Sequence, residues 1–366
     1  MKLKDKISWI MGRLQRSLFP ALEECCASPL TEQEKWLVKV LEIVEIEKHI
    51  PCNRQWMGRP AAERKTIARC YVAKAVFRYP HTRILINELQ ARSNLRLICG
   101  FAKRKDVPSE STFSRAFAAF AGTDLGKTVH NAMVTEYLSG ELIGHVSRDS
   151  TAIVGREKAA KKTPKIKVSR KKGRPDKEEK RQPLEPKRLD RQLQLTAEEA
   201  VAELSTICDR GVKKNAKGYT ETWNGFKLHV DVNDTGLPLS VVLTSASVHD
   251  SQVAIPLMKL TSGKVQYCYD LMDAAYDAQQ IWAQSKALDH VPIIDRNPRN
   301  GEVVSMSPHE ARRYNERSSA ERFNSRLKDQ FGGRSVMVRS PAKVMLLLMF
   351  GVVSLFADQL IKLTGY

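Results

Sequence analysis

Three acidic residues, Asp149, Asp273 and Glu321, carry the chemistry that this sequence predicts. Three carboxylates that converged on one point would repel each other unless a cation lay between them. Ligands that are all oxygen select a hard ion such as Mg²⁺ or Mn²⁺. Two such ions about 4 Å apart can activate an attacking hydroxyl and stabilise the leaving oxygen of a phosphodiester. The expected chemistry is therefore metal-dependent strand cleavage and transfer.

Asp149 and Asp273 are each predicted to lie at the end of a strand. Residues 145–149 read as one strand, and residues 265–271 read as a buried strand just before Asp273. In open α/β sheets, sites lie at the carboxyl ends of the strands, so the two acids would meet if these strands were neighbours. Taken singly, each acid also fits a plainer structural role. Asp149 could begin a turn, and Asp273 could cap the short segment that starts at Ala274.

Glu321 belongs to a predicted helix whose charged residues share one face. At about 100° per residue, Tyr314, Arg317, Glu321 and Lys328 fall within a roughly 60° arc. An adjacent apolar stripe would dock the helix; it consists of Ala320, Phe323, Leu327 and Phe331. Two structural alternatives stay open. Glu321 could complete a capping box that begins at Ser318, or it could form an ordinary i, i+4 pair with Arg317.

The elements that must position these residues are predicted to form an α/β sheet in the second half of the chain. Residues 226–232 and 239–243 alternate as two strands of a hairpin, and a helix, a strand, a helix and the short strand 291–294 follow. We therefore assign residues 141–154 to the first strand of a catalytic core and residues 216–366 to its remainder. The nearly continuous apolar run 344–357 is too short for a membrane span and is expected to be a buried helix.

Residues 1–140 are predicted to form a helical domain that binds DNA ends. Phe113, Phe117 and Phe120 recur at helical spacing, behind a candidate N-cap at Ser109. This register leaves Arg115 close to the start of the helix, where it suits contact with phosphates or base edges. An ordinary capped helix explains the same pattern.

Charge is concentrated between Arg156 and Arg191, where 16 Lys+Arg and six Asp+Glu give +10 of the chain's formal charge of +19. This stretch has four prolines and no aromatic residue, so we predict a disordered basic insertion over residues 155–215. It would act as a solvated linker or as a DNA tether. Lys172 and Arg174 resemble the short core of an AT-hook.

The composition points to a nucleic-acid partner in a reducing compartment. At 366 residues, the chain has room for two or three folded units. A charge of +19 attracts a polyanion. The seven cysteines are odd in number and lack a C-x-x-C pair, so no disulfide framework or zinc site is expected. The N-terminal segment does not resemble a signal peptide. We expect a cytoplasmic, nucleoid-associated protein with no membrane partner.

The charged face of the predicted helix resembles the insertion-sequence DDE transposases, whose C-terminal signature is Y-x2-R-x3-E-x6-K. Tyr314, Arg317, Glu321 and Lys328 match all four positions. Residues 149–151 are similar to the first aspartate block of the family, and residues 272–277 to the second. Further similarity lies in residues 107–120 and 225–250. The resemblance covers roughly residues 75–360, apart from the linker.

The resemblance implies an RNase H-like mixed-sheet core with an N-terminal helical DNA-binding domain. It also implies that Asp149, Asp273 and Glu321 bind two Mg²⁺ or Mn²⁺ ions. Their phosphate-holding neighbours would be Tyr314, Arg317 and Lys328. The expected partner is double-stranded DNA, both terminal inverted repeats and target, bound by a homodimer on paired ends.

The second aspartate block departs from the family pattern, because Ala274 and Ala275 replace the usual basic residue and glycine. Asp270 and Asp277 are therefore alternatives to Asp273. Two other functions also stay open. One is a catalytically inactive DNA-binding regulator descended from a transposase, and the other is a metal-dependent nuclease that hydrolyses DNA without joining it.

Overall fold

The first third of the protein is helical. The computed structural model describes residues 3–26, 28–51, 62–161, 186–214, 217–298 and 305–365. A π-helical turn at Leu14–Leu18 joins the first two helices, and short 3₁₀ turns lie at Ile46–His49 and Arg104–Asp106. The α-helices of this part are α1 (Leu3–Arg13), α2 (Phe19–Cys25), α3 (Glu32–Val44), α4 (Arg64–Val76), α5 (Thr82–Ala91), α6 (Ser93–Cys99), α7 (Glu110–Gly122) and α8 (Leu125–Leu138).

A mixed sheet follows. Its strands are β1 (Leu142–Val154), β2 (Asp209–Lys214), β3 (Thr220–Asn233), β4 (Pro238–Ser245), β5 (Gln266–Met272) and β6 (Val291–Ile294). β3 pairs antiparallel with β1, β2 and β4, whereas β5 pairs parallel with β1 and with β6. The spatial order is therefore β4-β3-β1-β5-β6, with β2 beside the first half of β3. The predicted hairpin and the predicted strand over residues 291–294 are both present.

Helices cover both faces of the sheet. They are α9 (Arg188–Gln194), α10 (Ala197–Ala202), α11 (Ser251–Ser262), α12 (Gln279–Ala287), α13 (Pro308–Tyr314), α14 (Ser318–Gln330) and α15 (Pro341–Thr364). Apolar residues of α14 and α15 pack on one face, against Phe226, Leu228 and Val230 of β3. Residues of α11 and α12 form a second cluster with the ends of β5 and β6. The coarse prediction of a mixed α/β fold with many helices is confirmed.

The C-terminal helix α15 is the centre of the molecule. One edge of α15, including Phe350, Phe356 and Leu360, packs with the N-terminal helices, and other residues such as Leu348 and Val352 pack on the sheet. By length and composition α15 could cross a membrane, but 89% of its most apolar 18-residue window is buried inside the protein. The prediction of a buried helix over residues 344–357 is confirmed, and through it the helical part and the sheet share one core.

Three local predictions are wrong. The basic insertion does not continue unfolded to residue 215, because α9, α10 and β2 occupy much of 188–214 and Leu189 and Leu193 pack against the sheet helices. β1 does not end at Asp149 or turn there, since pairing with β3 continues to Val154. The helix of Glu321 is broken by a 3₁₀ turn at Asn315–Arg317. Lys172 and Arg174 lie outside the described residues.

Candidate active site

Asp149 lies on β1, and Asp273 directly follows the last residue of the neighbouring strand β5. The last residues that pair between β1 and β5 are Ser147 and Leu271. Each aspartate lies two residues beyond this pair, and because side chains alternate between the faces of a sheet, both project from the same face. Burial raises the pKa of Asp149 to about 6, and the charge of Asp273 adds to this rise. Parallel pairing therefore brings together two of the three predicted acids.

Neither aspartate has enough positive charge beside it to offset burial. Asp149 accepts a hydrogen bond from Nδ2 of Asn324 at 3.0 Å, and Arg317 also acts to lower its pKa, yet the net shift is upward. For Asp273, burial is again the main cause of a raised pKa, and the charge of Asp250 adds to it. Two acids with raised pKa values form a site that a cation would stabilise.

Glu321 is turned toward Arg317 and away from the aspartates. Its Oε1 accepts a hydrogen bond from Nη2 of Arg317 at 2.7 Å, and the Glu321 side chain is 54% exposed. The guanidinium of Arg317 also lies 5.5 Å from the ring centre of Tyr314. The i, i+4 pair is thus present. The capping box is not, because Arg317 rather than Ser318 is the N-cap of α14 and makes no side-chain cap.

Arg317 is the cation on which the three acids converge. Its charge lowers the pKa of both Asp149 and Asp273 against the effect of burial, while its guanidinium pairs with Glu321. Within the described residues, no group of three or more Asp, Glu, His or Cys side chains is arranged to hold a metal ion. The structure therefore brings two of the predicted ligands, Asp149 and Asp273, close together. The third, Glu321, is paired with the guanidinium of Arg317.

Two buried oxygen atoms near the aspartates have no hydrogen-bond partner. They are the hydroxyl of Tyr276 and Oδ1 of Asn324. Burial raises the pKa of Tyr276, and the charges of Asp149 and Asp273 raise it further, so this hydroxyl lies close to both acids. The donor set at this edge of the sheet is all oxygen, which fits a hard divalent cation.

Asp270, one alternative to Asp273, is committed to a buried ion-pair network on the opposite face of the sheet. Arg148 is fully buried and donates to both carboxylate oxygens of Asp231, at 2.8 and 2.7 Å, and to Asp270 at 3.3 Å. Hydroxyl groups complete the network, since Thr261 donates to Asp231 and Ser285 donates to Asp270, each at 2.7 Å. Asp270 is therefore a structural residue.

Asp277, the other alternative, is also occupied. It accepts hydrogen bonds from Nε1 of Trp282 at 3.0 Å and from the backbone N–H of Asn297 at 3.1 Å. Asp273 caps the following 3₁₀ turn through the N–H of Ala275 at 2.9 Å, as the structural alternative proposed. One of its oxygens makes that bond, so the cap and a role as ligand are compatible.

The remaining DNA-contact candidates lie in two places. Tyr314 and Lys328 flank the acids: the charge of Asp273 reaches Tyr314, and that of Asp149 reaches Lys328. Arg115 is exposed on α7, where Phe113 and Phe117 are buried as predicted. Its Nη2 lies 3.4 Å from Oγ1 of Thr112.

Sequence reasoning missed Asn324 and Arg148, and it interpreted Asp250 only as the start of a helix. Asn324 lies one turn beyond Glu321 on α14, and that spacing was a usable signal. Arg148 precedes Asp149 on β1, so strand alternation places it on the opposite face, against the buried acids. Asp250 is the N-cap residue of α11 but makes no side-chain cap; it pairs with Nζ of Lys227 at 2.9 Å.

Comparison with protein families agrees with this geometry. A model described as "Transposase DDE domain" matches residues 195–356, and one described as "Transposase domain (DUF772)" matches residues 28–119. No curated protein and no solved structure matches the chain.

The mixed sheet with paired acids and the two matched domains define a transposase that acts on DNA. The chain belongs to the insertion-sequence DDE transposase family. The DDE domain indicates an enzyme of the polynucleotidyl transferase or nuclease type, and such enzymes typically use divalent metal ions.

Proposed function

We propose that this transposase binds the terminal inverted repeats of its own element, frees 3′-hydroxyl groups by hydrolysis and joins them to target phosphodiesters. The observation that carries the proposal is that Asp149 and Asp273 each lie two residues beyond the last pair of the parallel strands β1 and β5, and that Asn324, on the helix of Glu321, donates to Asp149. The strand order, with three antiparallel strands beside two parallel ones, supports an RNase H-like core.

We further propose Asp149, Asp273 and Glu321 as ligands of two Mg²⁺ or Mn²⁺ ions. When bound, the ions would supply charge for the attacking and leaving oxygens. The raised pKa values of the two aspartates and the all-oxygen surroundings support this assignment. Asn324 orients Asp149 through its 3.0 Å hydrogen bond, and the backbone N–H of Ala275 orients Asp273.

Arg317 has two tasks in this proposal. In the DNA-free protein its charge partly offsets the effect of burial on Asp149 and Asp273, and its guanidinium holds Glu321. A phosphate of the DNA end, placed between Tyr314, Arg317 and Lys328, would compete for the guanidinium, because arginine binds phosphate and carboxylate with the same two-pronged geometry. Glu321 would then be released toward the aspartates, so the site would be completed only when DNA is bound.

The broader organisation is proposed on the same basis. Residues 1–140 would bind the DNA ends, and Arg115 on α7 would contribute to that contact. Residues 141–154 and 216–366 would carry the catalytic core, and the basic segment with Lys172 and Arg174 would add non-specific attraction to DNA. Pairing two ends in one reaction requires a homodimer.

The test is a cleavage and joining assay on the DNA that flanks the coding sequence of this chain. With Mg²⁺, the wild-type protein should nick at the inverted repeat and join the new 3′ end to a plasmid. Asp149→Asn and Glu321→Gln should bind the DNA but cleave at least 100-fold more slowly, as removal of a ligand or catalytic group usually does.

The same assay separates the alternatives. Cleavage without joining would replace the proposal with a nuclease. Binding without cleavage by the wild-type protein, in both Mg²⁺ and Mn²⁺, would replace it with an inactive DNA-binding regulator. Glu141→Gln changes an exposed acid at the edge of β1 and is the matched control, which should cleave at the wild-type rate.

A further inference from the structure

A second basic site lies between the helical part and the sheet, away from the acids. It is a cleft of about 440 Å³ whose lining residues come from α4, the start of α5, α7, the segment after β1, the segment before α15 and the first turns of α15. Five of them carry or can carry positive charge: Lys74, His81, Arg156, Arg339 and Lys343. Glu110 is the single carboxylate among the lining residues that the structure describes.

Lys74 is the most deeply buried cation of this cleft. It lies on α4 and is only 8% exposed, and its ammonium takes part in no ion pair or hydrogen bond within the described part of the chain. Burial lowers the pKa of Lys74 to about 8, and no nearby acid acts against this effect. A buried ammonium without a counter-charge is costly unless a ligand supplies one, so the cleft calls for an anion.

Among the other cations of the cleft, a hydrogen bond holds Arg156 in place, whereas Arg339 and Lys343 can turn toward a ligand. Nη1 of Arg156 donates to the carbonyl oxygen of Met337 at 2.9 Å, which fixes the end of β1 against the segment before α15. In the part of the chain that the structure describes, Arg339 and Lys343 form no ion pair. Several ammonium and guanidinium groups around one opening match the oxygens of a phosphate group.

We propose that this cleft binds a backbone phosphate of the DNA, with the ammonium of Lys74 as its buried counter-charge. The inference rests on the proposed function in one respect, that the polyanion is DNA. Each phosphate that a protein cation neutralises releases counterions, which gives the contact a measurable salt dependence.

The chain limits the distance between the cleft and the acids. Arg156 follows Asp149 by seven residues, and because β1 ends at Val154 and the chain bends at Arg156, the two residues lie at most roughly 20 Å apart. A duplex that ran along the strand would cover that distance with roughly six base pairs. The cleft would therefore bind the backbone within about half a helical turn of the scissile phosphate and set which phosphodiester meets Asp149.

Lys74→Met tests the proposal, because it removes the charge and keeps a side chain of similar length. Binding of a short fluorescein-labelled end duplex would be measured by anisotropy in EDTA over a range of KCl concentrations. We expect binding roughly tenfold weaker near 0.1 M salt and a salt slope smaller by about 0.9. Lys286→Met, at an exposed lysine of α12 that does not line the cleft, is the control and should bind like the wild type.

Three results would overturn the proposal. The first is a Lys74→Met variant with wild-type affinity and salt slope. The second concerns inorganic phosphate. If phosphate stabilised the wild type, and Lys74→Met abolished that stabilisation without any change in DNA binding, the cleft would be a site for a free anion. The third is a wild-type protein that binds no DNA, which alone of the three also contradicts the proposed function.

Two further readouts guard against a folding artefact and locate the contact. The melting temperature of Lys74→Met should not fall below that of the wild type, because the substitution removes an unpaired buried charge. Ethylation of phosphates within roughly six base pairs of the cleavage site should weaken binding of the wild type but not of Lys74→Met. Equal interference in both proteins would contradict the assigned position.

Discussion

Substitution of Asp149 by asparagine should stabilise the metal-free protein while it abolishes cleavage. The pKa of Asp149 is raised to about 6 in the folded protein, against about 3.9 in an unfolded chain. A raised carboxyl pKa destabilises the fold at every pH above the folded value, and the penalty disappears below the unfolded value. The difference corresponds to about 3 kcal/mol, which we reduce to about 2 kcal/mol for partial solvent exposure.

The assay is urea unfolding of wild type and Asp149→Asn in EDTA at pH 7 and at pH 4. We expect the variant to be more stable by about 2 kcal/mol at pH 7 and to lose most of this advantage at pH 4, where Asp149 of the wild type is protonated. Mg²⁺ should stabilise only the wild type. Glu141→Gln should leave stability within about 0.5 kcal/mol. A variant no more stable than the wild type at pH 7 would refute the argument that the charge beside Asp149 is too small to offset its burial.

Three other perturbations test the structure around the site. Arg148→Met should lower the free energy of unfolding by about 3–5 kcal/mol, because it leaves the buried carboxylates of Asp231 and Asp270 without their cation. A loss below about 1 kcal/mol in urea unfolding would contradict the ion-pair network. Gly126→Ala should cost about 1–3 kcal/mol because its Cβ would lie 2.5 Å from that of Met349. The same change at Gly122, where a Cβ meets nothing within 4 Å, should be neutral or stabilising. His130 and His229, whose pKa values burial lowers to about 3 and about 4, stay neutral in the fold but gain a proton on unfolding below pH ~6.5. Acidification to pH 5 should therefore cost about 2 kcal/mol for each, and a melting temperature that did not fall between pH 7 and pH 5 would contradict this.

Regular patterns in the sequence predicted much of the fold. The two-residue alternation of residues 226–232 and the turn after Val232 produce the β3–β4 hairpin. The apolar run 344–357 lies inside α15. In both cases the burial of one face or of a whole element determines the structure, and burial leaves a direct trace in the order of apolar residues.

The basic composition of residues 155–215 concealed three short elements, α9, α10 and β2. Basic composition predicted disorder up to residue 215, but Leu189 and Leu193 of α9 pack on the sheet helices, Gln192 of α9 donates to the carbonyl of Gln252, and β2 forms hydrogen bonds with β3. Short elements at the edge of a sheet are held by backbone pairing and a few contacts. They leave little periodic signal in the sequence.

The sequence pointed to the three candidate acids but not to the way in which their side chains are arranged. The spacing of Glu321 and Arg317 placed them on one helical face, yet it could not decide whether Glu321 points to the aspartates or to the arginine. That choice depends on the 3₁₀ turn before α14, which positions Arg317 as the N-cap residue. Likewise, Asp270 and Asp273 are three residues apart, and only the partner Arg148 on the neighbouring strand distinguishes the structural acid from the candidate ligand.

The central claim is that Asp149, Asp273 and Glu321 form a metal site for strand transfer. In the most direct measurement, the protein is given a pre-cleaved inverted-repeat duplex with a free 3′-hydroxyl. The amount of duplex that becomes covalently joined to a supercoiled plasmid is then measured. The wild type should join the ends in Mg²⁺ or Mn²⁺ but not in EDTA, and Asp149→Asn, Asp273→Asn and Glu321→Gln should each abolish joining while they still bind the duplex. Joining at the wild-type rate by any of these three variants would contradict the claim.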